Sequence, residues 1–208
     1  MTRIVYLHGF ASGPGSKKAR YFAERLAECG VTLEVPDLAA EDFENLTVTA
    51  QLKVVERVCG KEPVYLMGSS LGGYLAALHA ARHPEVERLV LLAPAFSFVT
   101  RWPQSLGEER FEAWKNSGFL AVRHYGEGKD RQVSFRLIED GRFYEDYPKF
   151  FQPALIFHGK NDSVVPPGFS ITFSQQHPNT KLHLMDSDHE LLNVQDAMWD
   201  EIKPFLGV

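Results

Sequence analysis

Six short apolar or β-branched runs recur along this chain of 208 residues, and most of the gaps between them carry helical spacing. No other feature restricts the fold as much. Residues 4–7, 32–35, 64–67, 89–92, 154–157 and 181–185 read as strands. Between them Ala19, Phe22, Ala23, Leu26 and Ala27, and then Leu52, Val55 and Val58, recur at the three- and four-residue steps of an amphipathic helix. Alternation of this kind implies an α/β fold, with a mostly parallel six-stranded sheet and helices on both faces. In such a sheet ligands sit beyond the carboxyl ends of the strands, so the strand-to-helix loops are where chemistry is expected. The length suits one domain, residues 1–208, with no linker or low-complexity stretch to divide it.

Composition removes several classes of function. A formal net charge of −5 gives no basic field to attract nucleic acid, so no nucleic-acid partner is expected. Apolar stretches such as residues 89–93 fall far short of the ~20 needed to cross a bilayer, and no membrane role is expected. The apolar run at residues 4–7 breaks at His8-Gly9 before a signal-peptide core of ~7 residues is complete, which predicts a protein that is not exported. Two cysteines, Cys29 and Cys59, without CxxC spacing, offer neither a disulfide scaffold nor a Cys-rich zinc site. The expected setting is the reducing cytoplasm. Nothing in the sequence sets the oligomeric state.

One connection breaks the rhythm. About sixty residues separate the run ending at Leu92 from the one starting at Ala154, so this insertion, about 96–151, must carry structure of its own. Ser105-Leu106-Gly107-Glu108 has the capping-box pattern that would start a helix running to about Asn116, with Gly118 placed to end it. Residues 119–125 and 132–138 then flank a turn-rich stretch, 126–130, which predicts a hairpin. The insertion is dense in aromatic rings, as a cap over the carboxyl ends of the strands would be. Most of those rings are expected to pack the insertion onto the sheet, and Trp102 and Trp114 are taken as candidates for a substrate pocket.

Gly68-Ser69-Ser70-Leu71-Gly72 follows a predicted strand and opens a predicted helix, the setting of a nucleophile elbow. So sharp a turn strains its central residue and leaves no space for side chains at its flanks, which is what Gly68 and Gly72 supply. Gly73, Ala76, Ala77 and Ala80 give the helix a small-residue stripe for close packing on the sheet. Ser70 is the candidate nucleophile. A serine hydroxyl needs a general base oriented by a carboxylate. Asp162, in the loop after the fifth strand, is the candidate acid, and His189, in the loop after the sixth, is the candidate base. Asp186 and Asp188 are too near His189 along the chain to approach its ring easily from behind. The segment His189-Glu190-Leu191-Leu192-Asn193 falls short of HExxH because Asn193 stands where a second zinc ligand would be. His158, at a strand end before Gly159, is read as structural. The loop after the first strand, from His8-Gly9-Phe10 to Lys18, has neither the Walker nor the dinucleotide spacing. It suits an oxyanion hole better, with the backbone N–H groups of Phe10 and Leu71 facing the site. Lys17 and Lys18 are read as solvated.

His8-Gly9-Phe10, Gly68-Ser69-Ser70-Leu71-Gly72, residues 158–166 and Ser187-Asp188-His189 together resemble the serine α/β-hydrolase superfamily, in its chain order Ser, Asp, His. Tyr6-Leu7-His8-Gly9-Phe10-Ala11-Ser12 with Gly-Ser-Ser-Leu-Gly-Gly-Tyr is similar to small bacterial esterases of the YqiA type, and the hairpin-bearing insertion is similar to the caps of cinnamoyl and feruloyl esterases. The resemblance implies a carboxylic-ester hydrolase working through an acyl-enzyme on a small-molecule ester or thioester, with no cofactor and no metal. One departure from that family is expected at the sheet's edge: this sequence starts at the strand before His8-Gly9, without room for the two leading strands of larger members. An acyl thioesterase would use the same machinery, and a non-catalytic binding protein on the same fold is the alternative from outside enzymology.

Overall fold

A computed structural model describes residues 3–39 and 42–208. The first elements are β1 (Arg3–Leu7), α1 (Lys17–Glu28), β2 (Leu33–Glu34), α2 (Val48–Cys59), β3 (Val64–Ser69), α3 (Leu71–Ala80) and β4 (Val86–Leu92). The insertion holds α4 (Phe98–Leu106), α5 (Glu108–Ser117), β5 (Phe119–His124), β6 (Lys129–Ser134) and α6 (Arg136–Gly141). The chain closes with β7 (Ala154–Gly159), α7 (Gly168–Gln176), β8 (Thr180–Met185), a short 3₁₀ turn and α8 (Gln195–Leu206). Six strands form one sheet in the order β2-β1-β3-β4-β7-β8, every pairing parallel, while β5 and β6 make a separate antiparallel hairpin.

Strand periodicity sorts the core into two layers, because successive side chains of a strand point to opposite faces. Val5, Leu7, Leu66, Leu89, Leu91 and Ile156 meet α2, α3 and the insertion on one face. Ile4, Tyr6, Met67, Val90, Leu92, Leu155 and Phe157 meet Phe22 and Leu26 of α1 and Trp199 and Ile202 of α8 on the other. Helices cover both faces, so β3 and β7 are buried along their whole length. Helix starts are fixed locally: Ser16 Oγ accepts the Ala19 N–H and Thr47 Oγ1 accepts the Ala50 N–H.

The insertion departs from its sequence reading in two places. Ser105 does not cap a helix. The chain is already helical from Phe98, so the Ser105 hydroxyl donates back to the Arg101 carbonyl within α4. The break falls at Gly107, whose φ of 84° ends α4 and opens α5; Gly118, at φ 81°, ends α5 as its position predicts. The second hairpin strand is also shifted, starting at Lys129 and stopping at Ser134. Residues 136–138 turn instead into α6, which lets Leu137 and Ile138 bury together.

Helix α3 lies against the sheet with no clearance. An ideal Cβ on Gly72 would stand 2.1 Å from the Leu7 carbonyl oxygen and 2.5 Å from that of His8. Gly72→Ala is therefore expected to destabilise the protein by about 3 kcal/mol or more. Gly168→Ala, with nothing within 4 Å, should stay within about 0.5 kcal/mol of wild type. Urea unfolding of the two variants measures the contrast.

Candidate active site

At the carboxyl end of β3, Ser70 sits at φ 54° and ψ −119°, a conformation that L-residues avoid and that a packed surround must impose. The surround is visible. A Cβ on Gly68 would lie 2.4 Å from the Gly72 carbonyl oxygen, and one on Gly73 would lie 3.1 Å from both the Gly68 carbonyl oxygen and Pro94 Cβ. The Ser70 N–H donates to the Leu92 carbonyl at 2.9 Å, and the Ser70 carbonyl accepts from the N–H groups of Tyr74 and Ala95. The backbone is thus pinned to β4 and α3 while the hydroxyl faces the open end of the sheet.

His189 reaches that hydroxyl from the loop after β8. Its Nε2 is 3.1 Å from Ser70 Oγ and its Nδ1 is 2.7 Å from Asp162 Oδ2. A carboxylate only accepts, so Nδ1 carries the proton, and the lone pair on Nε2 is left for the serine O–H. Asp162 is fixed in turn by the Val164 and Val165 N–H groups, which donate to Oδ1 at 2.9 and 2.7 Å. Burial alone would push its carboxyl up, but the donors around it, His158 and His189 foremost, outweigh burial and hold it well below its ordinary 3.8. The two competing carboxylates point elsewhere. Asp188 accepts from the Glu190 N–H at 2.9 Å, and Asp186 is 3.4 Å from Asn161 Nδ2.

Phe10 follows Gly9, where a Cβ would lie 3.4 Å from Ser70 Cβ, and Leu71 follows Ser70 in the chain; among the described residues neither N–H has a hydrogen-bond partner. The Phe10 loop is braced on both sides. His8, kept neutral by burial, accepts the Leu38 N–H at Nε2 and donates from Nδ1 to the Gly9 carbonyl. The Tyr125 N–H, from the hairpin tip, donates to the Ala11 carbonyl at 2.8 Å. In front of Ser70 and His189 opens a cavity of about 1300 Å³ whose walls include Phe10, Phe43, Trp102, Leu106, Leu120 and Val122.

The two tryptophans part company here. Trp102 lines the cavity, with its ring edge-on to Phe10 at 6.0 Å. Trp114 does not: it is 1% exposed, it donates from Nε1 to the Val133 carbonyl, and it packs on Phe111 and Phe135. It stands behind Trp102, ring centroids 5.1 Å apart, and is not part of the cavity wall, which corrects the pocket expectation, since a buried indole N–H settled on a backbone carbonyl is a packing arrangement. Lys18 is also not simply solvated. Its Nζ donates to the Glu190 carbonyl at 2.8 Å, beside His189 in the cavity wall. No sequence signal could have found that contact, because the partner is a backbone oxygen 172 residues away.

A carboxyl held below its ordinary value stabilises the fold above that value and loses the contribution as the pH falls through the folded one. Asp162→Asn should therefore destabilise the protein by about 1–3 kcal/mol at pH 7, where the charged hydrogen bonds are intact. The gap between variant and wild type should narrow progressively below pH 3.8. Urea unfolding at pH 7 and near pH 2.5 tests the sign; a constant gap would mean that the donors do not favour the charged form.

Among the described residues no helix is long and apolar enough to cross a membrane. The chain is 24% identical over 224 residues to a pimeloyl-[acyl-carrier protein] methyl ester esterase of Nitrosomonas europaea, covering 87% of this chain and 85% of that one. It is 25% identical over 217 residues to the biotin biosynthesis bifunctional protein BioHC of Teredinibacter turnerae, and it matches 37% of that longer protein's length. Among solved structures, mouse alpha/beta hydrolase domain-containing protein 10 superposes with a TM-score of 0.82 over 98% of this chain and 89% of that one, at 21% identity. The fold is that of the α/β-hydrolases. Residues 3–207 match the family described as "Uncharacterised protein family (UPF0227)", and the chain belongs to that family.

Proposed function

We propose that this protein is a serine hydrolase that cleaves carboxylic esters through an acyl-enzyme. The reading is carried by the hydrogen-bonded chain from Ser70 Oγ through His189 to Asp162, with spacings of 3.1 and 2.7 Å. Ser70 Oγ attacks the ester carbonyl carbon while its proton passes to His189 Nε2. The negative charge on the carbonyl oxygen is met by the Phe10 and Leu71 N–H groups. Collapse breaks the carbon–oxygen bond to the alcohol, which leaves with the proton from His189. Water, deprotonated by the same imidazole, then releases the acid and restores Ser70. Asp162, ionised and fully desolvated, holds the imidazole in the required tautomer and stabilises the imidazolium formed in each half-reaction. The similarity to an ester-cleaving relative supports the same class of bond. The aromatic and aliphatic walls of the cavity suit an apolar acyl group.

A p-nitrophenyl ester series of increasing chain length, run beside the matching acyl-CoA thioesters, tests the class of bond. Ser70→Ala should abolish turnover and labelling by a fluorophosphonate while the protein stays folded. Ser69→Ala should be mild. Asp162→Asn should lower kcat by about 10⁴-fold, the loss seen for the corresponding change in a serine protease. Asp188→Asn should do far less, and the reverse ranking would move the acid.

Trp102→Ala should change relative kcat/KM across ester chain lengths by up to about 10–200-fold, because pocket contacts discriminate only by the methylenes they touch. Labelling by a small fluorophosphonate should change less. Equal losses for every ester and for the probe would assign Trp102 to packing instead.

A further inference from the structure

Behind Asp162, on the side away from His189, lies a second histidine that the mechanism above does not use. His158 is the penultimate residue of β7 and is 0% exposed. Its Nε2 is 2.7 Å from the Val165 carbonyl oxygen and 3.2 Å from Asp162 Oδ2, and its Nδ1 is 2.8 Å from the hydroxyl of Ser170, itself 0% exposed on α7. The proton positions follow from the partners. Val165 O and the carboxylate only accept, so Nε2 must carry a hydrogen, which bonds the Val165 carbonyl and leaves the N–H side-on to Oδ2 at 3.2 Å. The Ser170 hydroxyl has no other side-chain partner among the described residues and can donate to Nδ1, which leaves the ring neutral with all its polar atoms satisfied.

Three hydrogen-bond donors and the polar edge of His158 then surround the Asp162 carboxylate. Val164 and Val165 N–H hold Oδ1 and His189 Nδ1–H holds Oδ2, while the His158 Nε2–H lies alongside Oδ2 at 3.2 Å with its hydrogen bond directed to Val165 O. The Asp162 side chain is 0% exposed, so its charge is met by these protein groups and not by bulk solvent. The Val165 residue closes the arrangement, giving its N–H to Asp162 and its carbonyl to His158, so the acid loop and the ring fix one another.

We propose that His158, locked in its Nε2–H tautomer by Ser170, is a positioning residue that braces Asp162 from behind and keeps its Oδ2 trained on His189. This rests on the proposed Ser70–His189–Asp162 mechanism and adds a fourth and a fifth residue to its supporting frame. Without the ring N–H, Oδ2 loses the positive edge beside it and the Val165 carbonyl loses its donor, so the loop loses the tie that fixes the carboxylate's orientation. The less its charge is shared with other donors, the more the carboxylate favours the protonated state of the imidazole it faces. That state cannot accept the serine proton.

The test compares His158→Leu, which removes the donor, with His158→Gln, which can return an N–H near the Nε2 position, and with Ser170→Ala. Turnover of a p-nitrophenyl ester is expressed per site labelled to completion by a fluorophosphonate, so any unfolded fraction drops out. For His158→Leu the expected result is a kcat about 10–100-fold lower, with KM little changed and the acid limb of the rate profile moved up by about half a pH unit. His158→Gln should recover most of the rate and return the limb toward wild type. Ser170→Ala should move both readouts in the same direction by less. Wild-type kcat per labelled site and an unmoved limb in His158→Leu would overturn the proposal, as would equal losses for Leu and Gln. Failure of the underlying mechanism would be distinct, because Ser70→Ala would then still turn over and label.

Discussion

The contact between Gly72 and the carbonyl oxygens of Leu7 and His8 is the constraint on which the rest of the site depends. It brings the amino end of α3 against the carboxyl end of β1, two segments more than sixty residues apart in sequence. The chain leaving β1 runs directly into Gly9 and Phe10, and the chain entering α3 runs through Ser70 and Leu71. One close approach therefore brings the segments that carry the two N–H groups of the proposed oxyanion hole to the same end of the sheet. A Cβ on Gly9 would lie 3.4 Å from both Ser69 O and Ser70 Cβ, so the same junction is snug from its other side. Any side chain at position 72 would wedge the two segments apart. It would alter the fold and the geometry of the proposed oxyanion hole together, so on the proposed reading one close contact serves both.

The proposed acid and base, Asp162 and His189, are brought together by a different device, the continuation of a parallel ladder beyond the ends of its strands. β7 and β8 pair through Gly159 and Met185, and the pairing carries on as Lys160 N–H to Met185 O and Asn161 N–H to Ser187 O. Residues 27 apart in sequence thus emerge from adjacent strands on loops already laced together. His189 must still lean back across β7 and β4 to reach the end of β3, three strand spacings of ~4.8 Å away. Its loop is stiffened for that reach. Asn193 donates to the Asp186 carbonyl and accepts from the Ser187 hydroxyl, and Leu191, at φ 56°, turns its buried side chain into the core. The residue that spoils an HExxH pattern is thereby explained as a brace of the histidine loop.

How much of this could be read from sequence follows from where each interaction keeps its information. The six strands and the helices over them were legible because burial on both faces writes long apolar runs and regular spacing into the chain. The loops of Ser70, Asp162 and His189 were legible because glycine flanks and strand ends mark them. The interior of the insertion was not. Ser105 has the local chemistry of a cap, yet Phe98 had already started the helix by burying against the core, and tertiary packing overrode the local pattern. Trp102 and Trp114 look alike in sequence, and only the hydrogen bond to Val133 O and the rings of Phe111 and Phe135 tell them apart. His158, at a strand end, could be read as structural, but its contact with Asp162 could not. Periodicity reports which way a side chain points and is silent on the atom it meets.

The insertion is tied to both halves of the proposed machinery, and that bears on how the protein would choose substrates. Arg101 of α4 donates to the carbonyl of Val164, whose N–H holds Asp162, and the hairpin tip donates to Ala11, beside Phe10. Away from the cavity, Asp140 and Tyr144 hold Thr49 at the start of α2, and Asp146 takes the Ser97 N–H and the Thr100 hydroxyl. Trp114, Phe111 and Phe135 fill the space beneath. A segment fastened to the acid loop, the oxyanion loop and the core has little freedom to open as a lid. On the proposed reading, selection would then come from the shape of a preformed cavity. Trp102 packs edge-on against Phe10 and follows Arg101, which is tied to Val164, so a substrate that displaces Trp102 would press on the loops of the proposed machinery as well as on the wall. Discrimination would therefore appear in kcat as well as in KM, because the wall and the machinery share their supports.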